Sequence, residues 1–134
     1  MEIDLEWNDH YLIGVEEIDV QHKMLLKIMR QVFSLKDQEA SSPELKKTLR
    51  ELKKYAQFHF KSEEMLMELY SYPKYEDQKT EHKLINAKLK TMMEQVKTEN
   101  DISELLYFLI EWFVGHTRDK DRIMGIFINK NRSE

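Results

Sequence analysis

Apolar positions along this chain recur at alternating steps of three and four residues, the spacing that places them on one face of an α-helix. One stripe is Ile18, His22, Leu25, Met29 and Val32, and it predicts a helix over about 18–35. A longer one, Leu45, Leu49, Leu52, Ala56, His59, Glu63, Leu66 and Tyr70, predicts a helix over 43–70. Ser42 reads as its N-cap, with Pro43 at the first helical position. Tyr75, Gln78, His82, Ile85, Leu89, Met92 and Val96 predict a third helix over 74–98, opened by Pro73. Ile102, Leu105, Leu109, Trp112 and His116 predict a fourth over 102–117, after a turn and cap at Asn100-Asp101. Residues 1–17 show no sustained period, so Trp7, Tyr11, Leu12, Ile13 and Val15 read as an ordered arm laid over the helices. The tail, 118–134, is apolar enough to pack through Ile123, Met124, Ile126, Phe127 and Ile128, with Gly125 as a weak point. Four helices with short connections predict an all-α, up-down-up-down four-helix bundle with a short helical tail, in one domain spanning 1–134.

The stripes are not purely apolar. His22, His59, Glu63, Gln78, His82 and His116 occupy core-facing positions. At about 1.5 Å of rise per residue, their distances from the predicted turns put them level with one another. A carboxylate is rarely placed on a buried face unless something compensates its desolvation. The question set by the pattern is what compensates Glu63. His10, among polar neighbours in the arm, reads as a surface histidine.

Composition narrows the answer. With no cysteine among 134 residues, disulfides and thiolate metal sites are excluded, so a transition metal here must use imidazole and carboxylate. The net charge of -4 comes from interspersed acidic and basic residues, and no basic patch suggests nucleic acid. No apolar run is long enough to span a bilayer, and the acidic start Met1-Glu2-Ile3-Asp4 does not read as a signal peptide. The expectation is a cytoplasmic protein without a membrane partner.

Four imidazoles with one or two carboxylates are too many for one tetrahedral zinc. They suit two iron-class ions, bridged by carboxylate and capped by imidazole on each side. A metal-free hydrogen-bonded network is the alternative. His59 and Glu63, four residues apart, aim at one point, and Gln78 and His82 share that spacing. A second carboxylate should lie near His116. Helical geometry selects Asp119, three residues on, because Asp121 is rotated by about 140° on an ideal helix.

The chain resembles the bacterial hemerythrins over nearly its whole length. The matching pieces are Trp7, then Gly14-Val15-Glu16-Glu17-Ile18-Asp19 and Gln21-His22-Lys23. They continue with His59-Phe60-Lys61-Ser62-Glu63-Glu64, Tyr72-Pro73, His82, and Trp112 before His116 with Asp121 five residues later. The resemblance implies a bundle that binds O2 reversibly at two non-haem iron ions, oxo- or hydroxo-bridged when oxidised. By it, His22 and His59 hold the iron where O2 binds, His82 and His116 hold the other, and Glu63 and Asp121 bridge them. It therefore overrides Asp119 and predicts a helix break between His116 and Asp121.

One position departs from the family pattern. The family carries a histidine four residues before His82, and this chain has Gln78. An amide oxygen is a weaker, harder ligand than an imidazole nitrogen. Gln78 can ligate through oxygen, step back and leave the position to water or an exogenous anion, or weaken binding until the second iron is lost. The favoured expectation is the second. Asp77 and Glu81 lie off the seam and are poor substitutes.

The function expected is O2 carriage, storage or sensing, with NO and azide-like anions as further ligands and a redox partner not identified by sequence. Leu25, Phe60, Trp112 and Phe113 are candidate walls of a dry ligand pocket, and Thr117 a candidate hydroxyl beside it. No catalytic residue is assigned. The rival classes are a di-iron oxidase or peroxidase-like enzyme, disfavoured by the nitrogen-rich donor set, and a mono-iron or zinc-stabilised interaction bundle.

Overall fold

The computed structural model describes residues 4–132, so the first three residues of the acidic start and the last two of the tail lie outside it. Among the described residues the chain is helical, without strands. Helix α1 spans Glu16–Ser34, α2 Pro43–Leu69, α3 Tyr75–Glu94 and α4 Glu99–His116. A π-helical turn at Thr117–Asp121 leads into α5, Arg122–Arg132. Helix α1 packs on α2, α2 on α3, α3 on α4 and α4 back on α1, which closes the four-helix ring. Among the described residues no helix is long and apolar enough to cross a membrane.

Local chemistry explains the boundaries. Ser42 caps α2 by accepting from Leu45 N–H, with Pro43 at the helix start. Helix α2 closes through Ser71, whose φ of 53° reverses the chain while Tyr72 N–H bonds Met67 O at 2.8 Å. That turn sends the Tyr72 ring inward, and Pro73 precedes the first turn of α3 rather than opening it. Two boundaries differ from the apolar spacing. Helix α3 stops at Glu94, four residues short of the expected end. Helix α4 begins at Glu99 because Thr98 and Asp101 form a reciprocal capping box, one turn before the first apolar residue of the stripe.

The core is in two pieces. The larger contains Leu25, Leu26, Met29, Leu45, Leu52, Phe60, Leu89, Leu105, Leu106 and Phe113. The smaller contains Ile13, Val15, Ile18, Met67, Tyr72, Met124 and Ile128. Along each helix the break between the pieces falls at a polar seam residue. His22 lies between Ile18 and Leu25, and Glu63 between Phe60 and Met67. His116 and Asp121 lie between Phe113 and Met124.

The arm and the tail close the end of the bundle nearest this layer. Tyr11 packs edge-on against Phe113 with ring centroids 5.2 Å apart, and Trp7 against Tyr11 at 5.5 Å. Asp19 is buried because its carboxylate accepts from Ile13 N–H at 2.9 Å and Gly14 N–H at 3.2 Å, which pins the arm to α1. Gly14 turns there with φ of 87°. His10 is exposed, as its neighbours suggest. In α5, Met124 and Ile128 are buried, whereas Ile123 and Ile126 face outward at 58% and 63% exposure. Only one face of this short helix meets the bundle, so two of the five expected packing residues stay in solvent.

Gly125 is not a weak point but the residue that lets α5 touch the arm. A Cβ at this position would sit 2.2 Å from the carbonyl oxygen of Ile13. Gly125→Ala should therefore force α5 away from the arm and destabilise the fold by about 1–3 kcal/mol. Urea unfolding checks this, and an unchanged midpoint would show that the contact is slack.

Candidate metal centre

Each helix of the ring delivers its polar seam residues to the same layer. His22, His59, Glu63, Gln78, His82, His116 and Asp121 are all buried, with Glu63 at 0% exposure. His22, His59 and Glu63 bring one ligand-capable atom apiece within 4.8 Å of each other, and so do Glu63, His82 and His116. Glu63 is common to both groups, with Oε1 3.4 Å from His59 Nε2 and 3.3 Å from His82 Nε2. Asp121 spans them as well, with Oδ1 3.0 Å from His116 Nε2 and Oδ2 3.6 Å from His22 Nε2. Two carboxylates thus stand between two sets of imidazoles.

Asp121 reaches the layer because the helix widens. The π turn at Thr117–Asp121 brings residues five apart onto one face, and Arg122 N–H bonds Thr117 O across it. The helix thus changes between His116 and Asp121, as the resemblance implies. The choice of Asp119, made on ideal α geometry, is corrected: Asp119 is exposed. Such π turns recur at functional sites because they re-aim one side chain at little cost to the helix.

The imidazoles are oriented from outside the layer. His59 Nδ1 donates to Gln21 Oε1 at 2.9 Å, and the same amide donates through Nε2 to Ser62 Oγ at 3.1 Å, which sets its direction. His82 Nδ1 donates to Glu64 Oε2 and His116 Nδ1 to Glu81 Oε1, each at 3.0 Å. With Nδ1 protonated, Nε2 is the nitrogen left to face the centre, an arrangement typical of metal-ligating histidine. The seam pattern gives no role to Gln21 or Glu64 and sets Glu81 aside. The signal was adjacency: each stands next to a seam residue of its own helix, rotated by about 100° toward the next helix in the ring. His22 lacks such a partner, and its Nδ1 is buried without a hydrogen bond.

The electrostatics of the layer call for a cation. Both oxygens of Glu63 and the Nε2 of His82 are buried without a hydrogen-bond partner. Burial, then the nearby Asp121 carboxylate, pushes the Glu63 carboxyl well above its usual range. Burial holds His22, His59 and His82 below the ordinary imidazole value, which keeps them neutral. At His116 burial acts the same way, but Asp121, Glu63 and Glu81 outweigh it and raise the value. Burial would raise Asp121 too, yet the hydrogen bond and charge of His116, with His22 and His59, bring it down to about 2. Facing neutral Nε2 lone pairs at 3.3–3.4 Å, Glu63 must either keep a proton or share a positive ion with the imidazoles. The donor set therefore fits a metal pair of the imidazole and carboxylate class.

Gln78 directs its amide oxygen into the layer, 3.0 Å from His116 Nε2. The apolar residues suggested as pocket walls divide between the two sides. Phe113 meets His22 edge-on at 5.1 Å, one turn from buried Leu25. Phe60 stacks on His82 at 4.2 Å, and Trp112 on His116 at 4.7 Å. Thr117 is buried at the start of the π turn.

Comparison with known proteins places this geometry. The hemerythrin HHE cation binding domain matches residues 13–125, a span that holds every residue of the layer. The bacteriohemerythrin of Clostridium acetobutylicum is 30% identical over 122 residues, covering 87% of this chain and 95% of its own length. That of Stenotrophomonas maltophilia is 30% identical over 88% of this chain and 77% of its own. A crystal structure of wild-type hemerythrin shares the fold with a TM-score of 0.78 over 92% of this chain and 96% of that one, at 22% identity. A buried His and carboxylate layer on a four-helix ring, with a domain match across that ring, leads to one conclusion: the chain belongs to the hemerythrin HHE cation-binding domain family.

Proposed function

We propose that this protein holds two non-haem iron ions in the polar layer and binds O2 or a related small ligand there. His22 and His59 serve one ion, and His82, His116 and Gln78 the other, with Glu63 and Asp121 shared. The observation that carries the reading is Glu63: fully buried, without a partner for either oxygen, and flanked by two imidazoles whose Nε2 atoms face it. A hydrogen-bonded network without metal would have supplied those oxygens with donors. When bound, the iron pair supplies the electrons and the open coordination that O2 binding requires.

The chain's own residues hold and shield. Gln21, Glu64 and Glu81 fix the imidazole tautomers. Phe60, Trp112 and Phe113 exclude water from the rings they cover, which slows proton access to a bound ligand. The nitrogen-rich donor set supports a binding module over a di-iron oxidase, whose sites pair Glu-x-x-His motifs with further carboxylates. Gln78 places its oxygen where a ligand atom would stand, 3.0 Å from His116 Nε2. It acts as a weak ligand that an exogenous anion displaces. This leaves the second iron more open than in a relative with the full histidine set, and shifts the role from O2 storage toward redox or NO sensing.

Anaerobic iron reconstitution should load two ions per chain and give optical spectra that change reversibly with O2. One ion per chain would show that Gln78 fails to hold the second. Gln78→His should lengthen the lifetime of the oxygenated form after air exposure by roughly tenfold, the effect of about 1.4 kcal/mol on a barrier. A wild-type oxygenated form that lasts many hours would remove the reason for this prediction.

Glu63 gives a test that separates metal site from structural network. In protein stripped of metal, the folded carboxyl keeps a proton that the unfolded chain releases above its ordinary value of 4.5. Stability is therefore lost as pH rises from that value toward the raised folded one. An amide in place of this carboxyl carries no charge to desolvate and could donate to His82 Nε2. Glu63→Gln should therefore stabilise the stripped protein at pH 8 by on the order of 1–3 kcal/mol. The same substitution should abolish loading of the iron pair. Urea unfolding at pH 5 and pH 8 checks the first part and iron analysis the second.

A further inference from the structure

Among the described residues, two openings are lined in part by residues of the polar layer. The larger is a groove of about 750 Å³ between α2 and α3, with Phe60 and His82 in its floor. It does not lead to the metal-facing nitrogen. The Phe60 ring lies flat on His82, with planes 13° apart, and Glu64 occupies Nδ1 on the groove side. The smaller opening is a cavity of about 210 Å³, lined by Tyr72, Lys74, Asp77, Gln78, Lys120 and Ile123 together with Asp119. Gln78 is the residue shared by this cavity and the layer. It lines the cavity, and its amide oxygen touches His116 Nε2 at 3.0 Å.

We propose that this cavity is the access port for small ligands that bind the His82–His116 iron, and that Gln78 is its gate. The inference rests on the reading that iron occupies the His82–His116 side of the layer. Swinging one unbranched side chain about its own torsions exposes the coordination position behind it, with no aromatic ring or helix moving. A water molecule takes up roughly 30 Å³ of liquid, so the cavity has room for the displaced amide and a triatomic ion together. Its lining suits such an ion. Tyr72 contributes a phenol that burial keeps protonated and the Gln78 amide offers N–H donors, while at the mouth Lys74 and Lys120 are offset by Asp77, Asp119 and Glu81, the last of which pairs with Lys120. With no net positive charge at the mouth, the hydrogen-bond donors rather than the field select the ligand. The ligand class is a small molecule or monoanion of two or three heavy atoms with terminal hydrogen-bond acceptors.

Azide is the probe, added to the oxidised, iron-loaded full chain and followed by stopped-flow absorbance. Ile123 is 58% exposed at the cavity, so Ile123→Trp should fill the mouth without disturbing the core. Azide association and dissociation should both slow by tenfold or more, leaving Kd within twofold and iron content at two per chain. Ile123→Phe, a smaller plug, should give an intermediate slowing and serves if the Trp variant folds poorly. Thr80→Trp, which fills the α2–α3 groove instead, should bind azide at the wild-type rate. Unchanged rates in both Ile123 variants, with two irons present, would overturn the port and leave the di-iron reading intact. Slowing by Thr80→Trp alone would move the port to the groove. Fewer than two irons in the wild type would overturn the parent reading, and the port with it.

Discussion

The fold is organised around a desolvated carboxylate. Glu63 sits at the centre of the bundle with no solvent exposure and no donor for its oxygens. Left alone, that arrangement costs several kcal/mol, a large share of the stability of a domain this size. The polar layer also divides the apolar core into two clusters that do not merge. Helices could have buried more apolar surface by carrying Leu at these positions. A sequence that accepts such a cost at one level of four helices is built to hold positive charge there.

The rest of the structure arranges the charge acceptors with precision that packing alone does not require. Gln21, Glu64 and Glu81 each reach from one helix to a histidine of the next, so that orientation is passed around the ring. The π turn in the fourth helix brings Asp121 opposite Glu63 and costs the helix one irregular turn. The capping arm and α5 then close the end of the bundle, tied by Asp19 to the arm's backbone amides and by the close passage of Gly125 under Ile13. Stability and site are coupled here, since the arm and α5 that close over the layer are held by these backbone contacts.

Gln78 is where the two sides of the layer differ most. The His22–His59 side is covered by Phe113, while the His82–His116 side borders a cavity through a neutral, flexible amide. Gln78 meets the polar layer and the cavity rather than the apolar clusters, so a change at this position acts on the layer before it acts on the core.

Much of this was legible in the chain. The apolar spacing alone determined four helices, their order and the presence of His22, His59, Glu63, His82 and His116 on core-facing seams, because a helical period is a local property. Family motifs added Asp121. What local spacing could not supply was decided by contacts between helices. The widened turn that swings Asp121 inward and leaves Asp119 in solvent depends on the partners waiting at His22 and His116. The roles of Gln21, Glu64 and Glu81 exist only across helix pairs, and Gly125 acquires its meaning from Ile13, more than a hundred residues away. Periodicity reports which way a side chain faces; which atoms it meets is set by neighbours that only folding brings within reach.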